Sequence, residues 1–307
     1  MIREAIPCPK TATEWIGKVR AFALRFTGPP YPVPGPVRII SFNANGIRSA
    51  ARKGFFDWLA AQNADVTCIQ ETKSQEHQLT DGMFRPDQHH CFYRDAVTKK
   101  GYSGVAIFAK REPDAVLTRI GWDPLDDEGR YIEARFGNLS VVSLYVPSGT
   151  SGEERQQFKF KAMEKLRTIF DRWLASGREY VLCGDWNIVR SERDIRNWKS
   201  NQKNSGCLPA ERAWLNALIA DPHGDGTPAP EHGWLDSFRV AKPDAVEYTW
   251  WSNRGAARAN NVGWRIDYQI TTPGIGKRAR ACAIAREPRF SDHAPLLVEY
   301  DVVGYAE

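Results

Sequence analysis

The sequence predicts a layered α/β protein. Three observations point there. Short apolar runs with strand character are interleaved with amphipathic helical stretches. The two kinds of segment do not alternate strictly, so a simple doubly wound sheet is not demanded. The runs also stop, again and again, on Asn, Asp, Glu or His, beginning with Tyr180-Val-Leu-Cys-Gly-Asp185-Trp-Asn187. There, Tyr180 to Cys183 read as a buried strand and Gly184 lets the backbone turn. Asp185 and Asn187, two residues apart in extended backbone, face the same side.

Composition narrows the function classes. The chain has 307 residues, enough for one large domain or two smaller ones, with 42% hydrophobic and 26% charged residues, as in ordinary globular proteins. The net charge of +5 is compatible with a polyanionic partner. Six scattered cysteines form no CxxC pair, which argues against a thiolate metal site or disulfide framework and favours a reducing compartment. No run approaches the roughly 20 apolar residues of a membrane span, so no membrane association is expected.

Residues 1–36 read as an appendage. Thr11 and Glu14 have capping-box spacing. Trp15, Ile16, Val19, Phe22, Ala23 and Phe26 then recur at helical spacing, and charges interrupt any signal-peptide core. This helix is expected to cover a domain edge or to dock on a partner. Five prolines in Gly28–Pro36 make a stiff linker. The domain is expected to occupy 37–307. It opens with a strand at 37–42 ending in Asn43-Ala-Asn45-Gly46, then a helix over 53–62. A strand at 65–69 follows, ending in Gln70-Glu71-Thr72-Lys73. Further strands are expected near 91–95, 104–109, 130–136 and 139–146, and a long helix over 152–176 feeds the central strand. Beyond it come an Asn- and Lys-rich stretch at 188–208, a helix near 210–220 and a Gly/Pro loop at 221–233. Tyr248-Thr-Trp-Trp251 and Asn261–Tyr268 precede strands near 279–285 and 295–301, with Phe290-Ser-Asp292-His293 between those two. No internal repeat is visible.

Asn43, Glu71, Asp185, Asn187, Asp267, Asp292 and His293 all lie at or just past strand-like runs. Oxygen donors with one histidine suit Mg²⁺ or Mn²⁺ rather than a thiolate metal, and such ions usually serve phosphate chemistry. Taken singly, Glu71 or Asp292 is no more than a turn carboxylate. Asp267 is harder to dismiss, since it alternates with Ile266, Tyr268 and Ile270 and faces away from them. An aspartate beside His293 would orient the imidazole and raise its pKa.

From residue 37 to the C-terminus the chain resembles the exonuclease III family of abasic-site DNA repair nucleases, within the endonuclease/exonuclease/phosphatase superfamily. The motifs are Ser41-Phe-Asn-Ala-Asn-Gly-Ile-Arg48, Gln70-Glu-Thr-Lys73, Gly101-Tyr-Ser-Gly104, Leu144-Tyr-Val-Pro147, Gly184-Asp-Trp-Asn187, Lys203-Asn-Ser-Gly206, Asn261-Val-Gly-Trp-Arg-Ile-Asp-Tyr268 and Ser291-Asp-His293. The resemblance implies a DNase I-like four-layer αββα sandwich: two packed mixed β-sheets flanked by helices, with the active site at one rim. It implies Glu71 as principal Mg²⁺ ligand with Asn43 and Asp292 nearby, Mn²⁺ being a substitute. Asp185, helped by Asn187, would orient or activate water and lie close enough to contribute to the metal site. Tyr145 and His293 would hold the scissile phosphate, and Asp267 would orient His293.

The reaction so implied is hydrolysis 5′ to an abasic site in duplex DNA, with trimming of blocked 3′ ends and 3′–5′ exonuclease activity. Arg48, Arg52, Lys53, Lys73, Tyr102, Lys199, Asn201, Lys203, Asn204 and Arg254 would grip DNA, and Trp250 and Trp264 would wall the abasic pocket. Trp251 reads as core. Asn45 stands where many relatives have Asp, Ser148 and Ser151 replace longer side chains, and Gly206 leaves the pocket open. A monomer in the cytoplasm, associated with the nucleoid in a bacterium, is expected. Three other readings fit less of the pattern: a 3′-end-processing relative lacking abasic incision, a phosphatase of the wider superfamily acting on other phosphoesters, and a binding protein with a dead site.

Overall fold

The computed structural model describes residues 36–220 and 233–302. The helix and linker expected in 1–35, most of the Gly/Pro loop and the last five residues lie outside them. In chain order the strands are β1 (Val37–Asn43), β2 (Val66–Gln70), β3 (His90–Arg94), β4 (Val105–Ala109), β5 (Ala115–Leu117), β6 (Tyr131–Phe136), β7 (Leu139–Tyr145), β8 (Glu179–Asp185), β9 (Leu235–Asp236), β10 (Trp250–Trp251), β11 (Gly263–Trp264), β12 (Asp267–Thr271), β13 (Ala279–Ile284) and β14 (Leu296–Tyr300). One sheet has the order β13-β14-β1-β2-β4-β3 and the other β5-β6-β7-β8-β12-β9; β10 and β11 form a separate ribbon.

The two large sheets share one plan. In each, a central parallel pair, β1–β2 or β7–β8, is flanked by antiparallel neighbours. A parallel pair needs a crossover, and both crossovers are helical. Helices Ile47–Arg52 and Phe55–Gln62 join β1 to β2, and helix Glu153–Leu174 joins β7 to β8. The helix expected over 53–62 is Phe55–Gln62, and a second helix that was not expected, Ile47–Arg52, precedes it across Gly54, which takes φ 82°. Sequence shows no repeat, yet the topology is repeated.

Alternating side chains explain the four layers. Ile39, Val66, Ile107, Val141, Val181 and Val298 meet between the sheets. Ile40, Phe42 and Ile69 point the other way, onto Ile47, Phe55 and Trp58. On the opposite side, Val142, Leu144, Leu182 and Tyr268 pack under Met163, Leu166 and Phe170. Because strands buried on both faces cannot show polar alternation, β1, β2, β7 and β8 read in sequence as plain apolar runs.

A buried ionic network anchors the approach to β12. Asp194 lies 2.6 Å from the Arg239 guanidinium and 2.7 Å from that of Arg265, and Arg265 also meets Asp236 at 2.8 Å. Arg265 is therefore engaged by Asp194 and Asp236 and not by Asp267, two residues on, because residues 265–266 lie between β11 and β12 rather than in a continuous strand. Burial opposes ionisation of Asp194, but the arginines outweigh it and hold its pKa far below the usual carboxylate range. Stability from this group is present above its unfolded pKa and lost as pH falls through the lower, folded one. Asp194→Ala is expected to destabilise by about 3–5 kcal/mol, since it strands buried arginines. The deficit should shrink in urea titrations below pH 4; a pH-independent deficit would refute the ionic account.

Candidate active site

The parallel pairs of both sheets send their carboxyl ends to one rim, where ligands sit in open α/β sheets. Asn43 closes β1, Glu71 follows β2, Tyr145 closes β7 and Asp185 closes β8. Tyr145 and Asp185 are neighbours in the parallel register. Asp267 starts β12 opposite Asp185 in antiparallel register, which brings it to the same rim. His293 precedes β14, which runs antiparallel to β1, and bridges to Trp250 of the ribbon. The rim also collects left-handed backbone at non-glycine residues: Asn45 (φ 44°), Glu71 (φ 50°), Lys73 (φ 47°) and Asn187 (φ 52°). Such conformations cost roughly 1–3 kcal/mol each and cluster at functional sites.

Asn43 ties the two halves together. Its Nδ2 donates to Glu71 Oε1 at 2.8 Å and to Asp185 Oδ2 at 2.9 Å, while its Oδ1 accepts from the Asn45 amide at 2.9 Å. Asp185 Oδ1 accepts the Asn187 main-chain N–H at 2.8 Å, and the Asn187 side chain donates to the Val146 carbonyl at 2.9 Å. One donor atom each from Glu71, Asp185 and His293 lies within 4.8 Å of the others. His293 Nδ1 is 2.8 Å from Asp267 Oδ2, and its Nε2 is 3.9 Å from Asp185 Oδ2. The backbone of Asp267 is pinned in turn by Thr249, whose hydroxyl accepts the Ile266 and Asp267 N–H groups at 3.1 Å.

The electrostatics follow from this packing. Burial, reinforced by Asp267 and Glu71 against the opposing pull of His293, pushes Asp185 up to about 7. Burial would lower His293, but Asp267, Asp185 and Asp292 together raise it to about 10. Glu71 is buried too, yet Lys73, 2.6 Å from its carboxylate, and Asn43 hold its pKa below the ordinary value. Tyr145 is pushed well above 10 by burial and by facing Glu71, so it stays a hydroxyl donor.

Asp292 reaches the centre indirectly. It accepts from Asn45 Nδ2 at 2.8 Å and from Trp250 Nε1 at 3.1 Å, and Asn45 Oδ1 accepts in turn from Lys73. Lys53 donates to the Phe290 carbonyl at 3.0 Å. Tyr102 accepts from Arg130 at 2.8 Å and from Arg155 at 3.0 Å. Arg48, Arg52, Lys199, Lys203, Asn204 and Arg254 are exposed and Asn201 half-buried. Trp250 and Trp264, half-buried, meet edge to face with centroids 5.8 Å apart over Ile195, Cys207 and Ile266. Trp251 is core, 1% exposed.

Sequence reasoning missed two residues. Arg130 is buried with its guanidinium 4.3 Å from the Tyr145 ring centroid, and Thr249 supports Asp267 as described. Neither carried a signal: an Arg opening a strand reads as a solvated charge and a Thr before Trp250 as a strand residue. Gly206 adopts φ +91°, and a Cβ there would lie 2.9 Å from the Asn187 carbonyl oxygen and 3.1 Å from Trp264. Any side chain would press on Asn187. Gly206→His is therefore expected to lower every cleavage activity at this centre together, by roughly 10–100-fold. Selective loss of abasic incision, with 3′-phosphate removal intact, would mean that pocket width alone matters at this position.

Residues 40–293 match the Endonuclease/Exonuclease/phosphatase family. The chain is 36% identical over 262 residues to an exodeoxyribonuclease of Bacillus subtilis, spanning 85% of this chain and 98% of that one. It is 35% identical over 262 residues to the DNA repair nuclease APEX1 of Danio rerio, covering 85% and 81%. Its fold superposes on an AP endonuclease from Archaeoglobus fulgidus with a TM-score of 0.72 at 27% identity, covering 87% of this chain and all of that one. Two mixed sheets between helices, a rim built from both, and a match across most of the chain place this protein in the endonuclease/exonuclease/phosphatase family.

Proposed function

We propose that this chain is a DNA repair hydrolase that breaks the P–O3′ bond 5′ to an abasic site in duplex DNA, leaving a 3′-hydroxyl and a 5′-deoxyribose phosphate. The same centre would remove 3′-phosphates, other 3′-blocking fragments and 3′-terminal nucleotides. The observation that carries the reading is the convergence of Asn43, Glu71, Tyr145, Asp185, Asp267 and His293 on one rim of a fold shared with nucleases.

The donor set fits a hard divalent cation such as Mg²⁺, with Mn²⁺ as substitute. Glu71 and Asp185, the first partly and the second fully buried, present two carboxylates to one Asn43 amide, an oxygen-rich seat that suits such an ion. Glu71 would be the main ligand, with Asp185 and Asn187 beside it. Asn43 would ligate through Oδ1 only after turning its amide over, and Asp292 would act through Asn45. Once bound, the ion would neutralise and orient the transferred phosphoryl group. His293 serves differently: paired with Asp267 it is a cation, so its Nε2–H donates to a phosphate oxygen instead of ligating. The Tyr145 hydroxyl donates alongside. Asp185, poised near neutrality, accepts a proton from the attacking water.

Phosphate contacts from Arg48, Arg52, Lys53, Lys73, Lys199, Lys203, Arg254 and neighbouring polar side chains (Tyr102, Asn201, Asn204) would hold the duplex without reading sequence. An abasic sugar has no base to unstack and would flip out at low cost into a pocket walled by Trp250 and Trp264. Lys203→Ala is expected to weaken binding of all sequences alike and to flatten the salt dependence by about one unit of slope. An unchanged slope would exclude Lys203 from the interface.

The deciding experiment uses a labelled duplex with one internal abasic analogue, incubated with Mg²⁺ or EDTA, beside a nicked duplex ending in a 3′-phosphate. Metal-dependent incision 5′ to the lesion is expected. Removal of the 3′-phosphate without incision would make this a 3′-end-cleaning enzyme, and loss of neither group would overturn the proposal.

A further inference from the structure

A fully buried ion pair lies directly behind Asn187. Lys159, on helix Glu153–Leu174, and Glu211, on helix Pro209–Asn216, are 2.6 Å apart with both side chains 0% exposed. Burying a lysine and a glutamate is costly, and such a pair often adds nothing to stability over apolar residues of the same volume. The hydrogen bonds around it suggest what it does instead.

Lys159 Nζ donates to the main-chain carbonyl of Asn187 at 2.8 Å. Glu211 accepts from the Gly206 N–H at 2.6 Å and the Leu208 N–H at 3.1 Å through one oxygen. Through the other it accepts from Gln156 at 3.0 Å and Ser205 at 3.3 Å. One end of the pair therefore grips Asn187, and the other grips the segment that closes the loop bearing Asn201, Lys203 and Asn204. Asn187 holds a left-handed backbone, φ 52°, which asparagine tolerates better than most residues and which directs its peptide groups to separate partners. Its N–H fixes Asp185 Oδ1, and its side-chain amide is tied to Val146. With the carbonyl held by Lys159, every polar group of the Asn187 backbone is committed. Gly206 completes the seat, since only a residue without Cβ lets this segment approach the Asn187 carbonyl so closely.

We propose that Lys159 and Glu211 are positioning residues for the hydrolytic centre: they set the Asn187 peptide, and through it the Asp185 carboxylate, in register with the DNA-facing loop. The inference rests on the hydrolytic reading above. It assigns no contact with DNA or metal to either residue.

The test compares wild type with the double variant Lys159→Met/Glu211→Gln. Either single change leaves an unpaired buried charge and risks unfolding, whereas the double change removes both charges at similar volume. In the double variant kcat on the abasic duplex should fall about 10–100-fold, as expected for a slightly misplaced catalytic group, with KM and DNA affinity within about twofold of wild type. By NMR, hydrogen exchange of the Asn187 side-chain amide, protected in wild type by its bond to Val146, should quicken. A folded double variant with wild-type kcat would overturn the proposal. So would a fall in kcat and thermal stability with Asn187 exchange unchanged, which would make the pair merely structural. If wild type itself fails to cut the duplex, the hydrolytic reading fails, and Asn187 exchange still decides whether the pair holds that residue.

Discussion

Replacing Asp185 by Asn is expected to reduce metal-dependent cleavage by roughly 10³–10⁴-fold, the scale of losing a positioned general base. An asparagine can still accept the Asn187 N–H but cannot take a proton from water or supply a buried negative charge beside Glu71. The same change should show how function is traded against stability. Burial and neighbouring carboxylates raise Asp185 to about 7 from 3.8, so the folded protein favours its protonated form. That contribution is present below pH 3.8 and lost as pH rises through about 7. At pH 8 the metal-free wild type therefore carries a destabilising carboxylate that the variant lacks. The melting temperature of Asp185→Asn minus that of wild type, measured in EDTA, should grow from pH 4 to pH 8. Added Mg²⁺ should stabilise wild type more than the variant and narrow or reverse the difference, because the variant keeps Glu71 but loses the second carboxylate. A difference that does not vary with pH would mean that Asp185 ionises freely and is no candidate base.

His293→Gln is expected to lower cleavage by roughly 10²–10³-fold, the usual cost of removing one preorganised donor to developing charge. Its pH signature runs over a different window. His293 is raised from 6.5 to about 10 by its partners, Asp267 foremost, against the opposing effect of burial. The stability it contributes is thus complete below pH 6.5 and lost as pH climbs towards 10. Metal-free wild type should lose stability across that range faster than His293→Gln. Asp267→Asn should bring the imidazole pKa, followed by NMR, down towards its ordinary value, and cleavage should then fall away on the alkaline side earlier than in wild type. An imidazole titrating near 6.5 in wild type would contradict the cationic role. Among the described residues, the buried Asp267 Oδ1 has no hydrogen-bond partner, and the imidazole on Oδ2 is the main compensation of this carboxylate.

Much of the site was legible because it is built from strand ends. Asn43, Glu71, Tyr145 and Asp185 each sit where an apolar run stops, Asp267 sits where one starts, and the motifs around them carry the family resemblance. The pairing of Asp267 with His293 came from the family resemblance, not from the local pattern around Asp267. Helix boundaries were less legible: the break at Gly54 depends on a left-handed glycine within a helical pattern. Short edge elements such as β5 and β9 lack enough residues to show any period.

What the sequence determined by itself was local chemistry: which runs are strands, which side chains end them, and that their donors suit phosphate and a hard cation. Tertiary structure decided the rest, because it depends on distances between residues far apart in the chain. Only packing the two sheets, each with its own parallel pair, brings Glu71 and Asp185 onto one amide of Asn43. Only there does burial raise Asp185, and only there do the carboxylates of other elements raise His293 against the effect of burial. Buried charges such as Arg130, Asp194, Lys159 and Glu211 look like solvated surface in a linear chain, since the partners that make their burial tolerable are supplied by other elements.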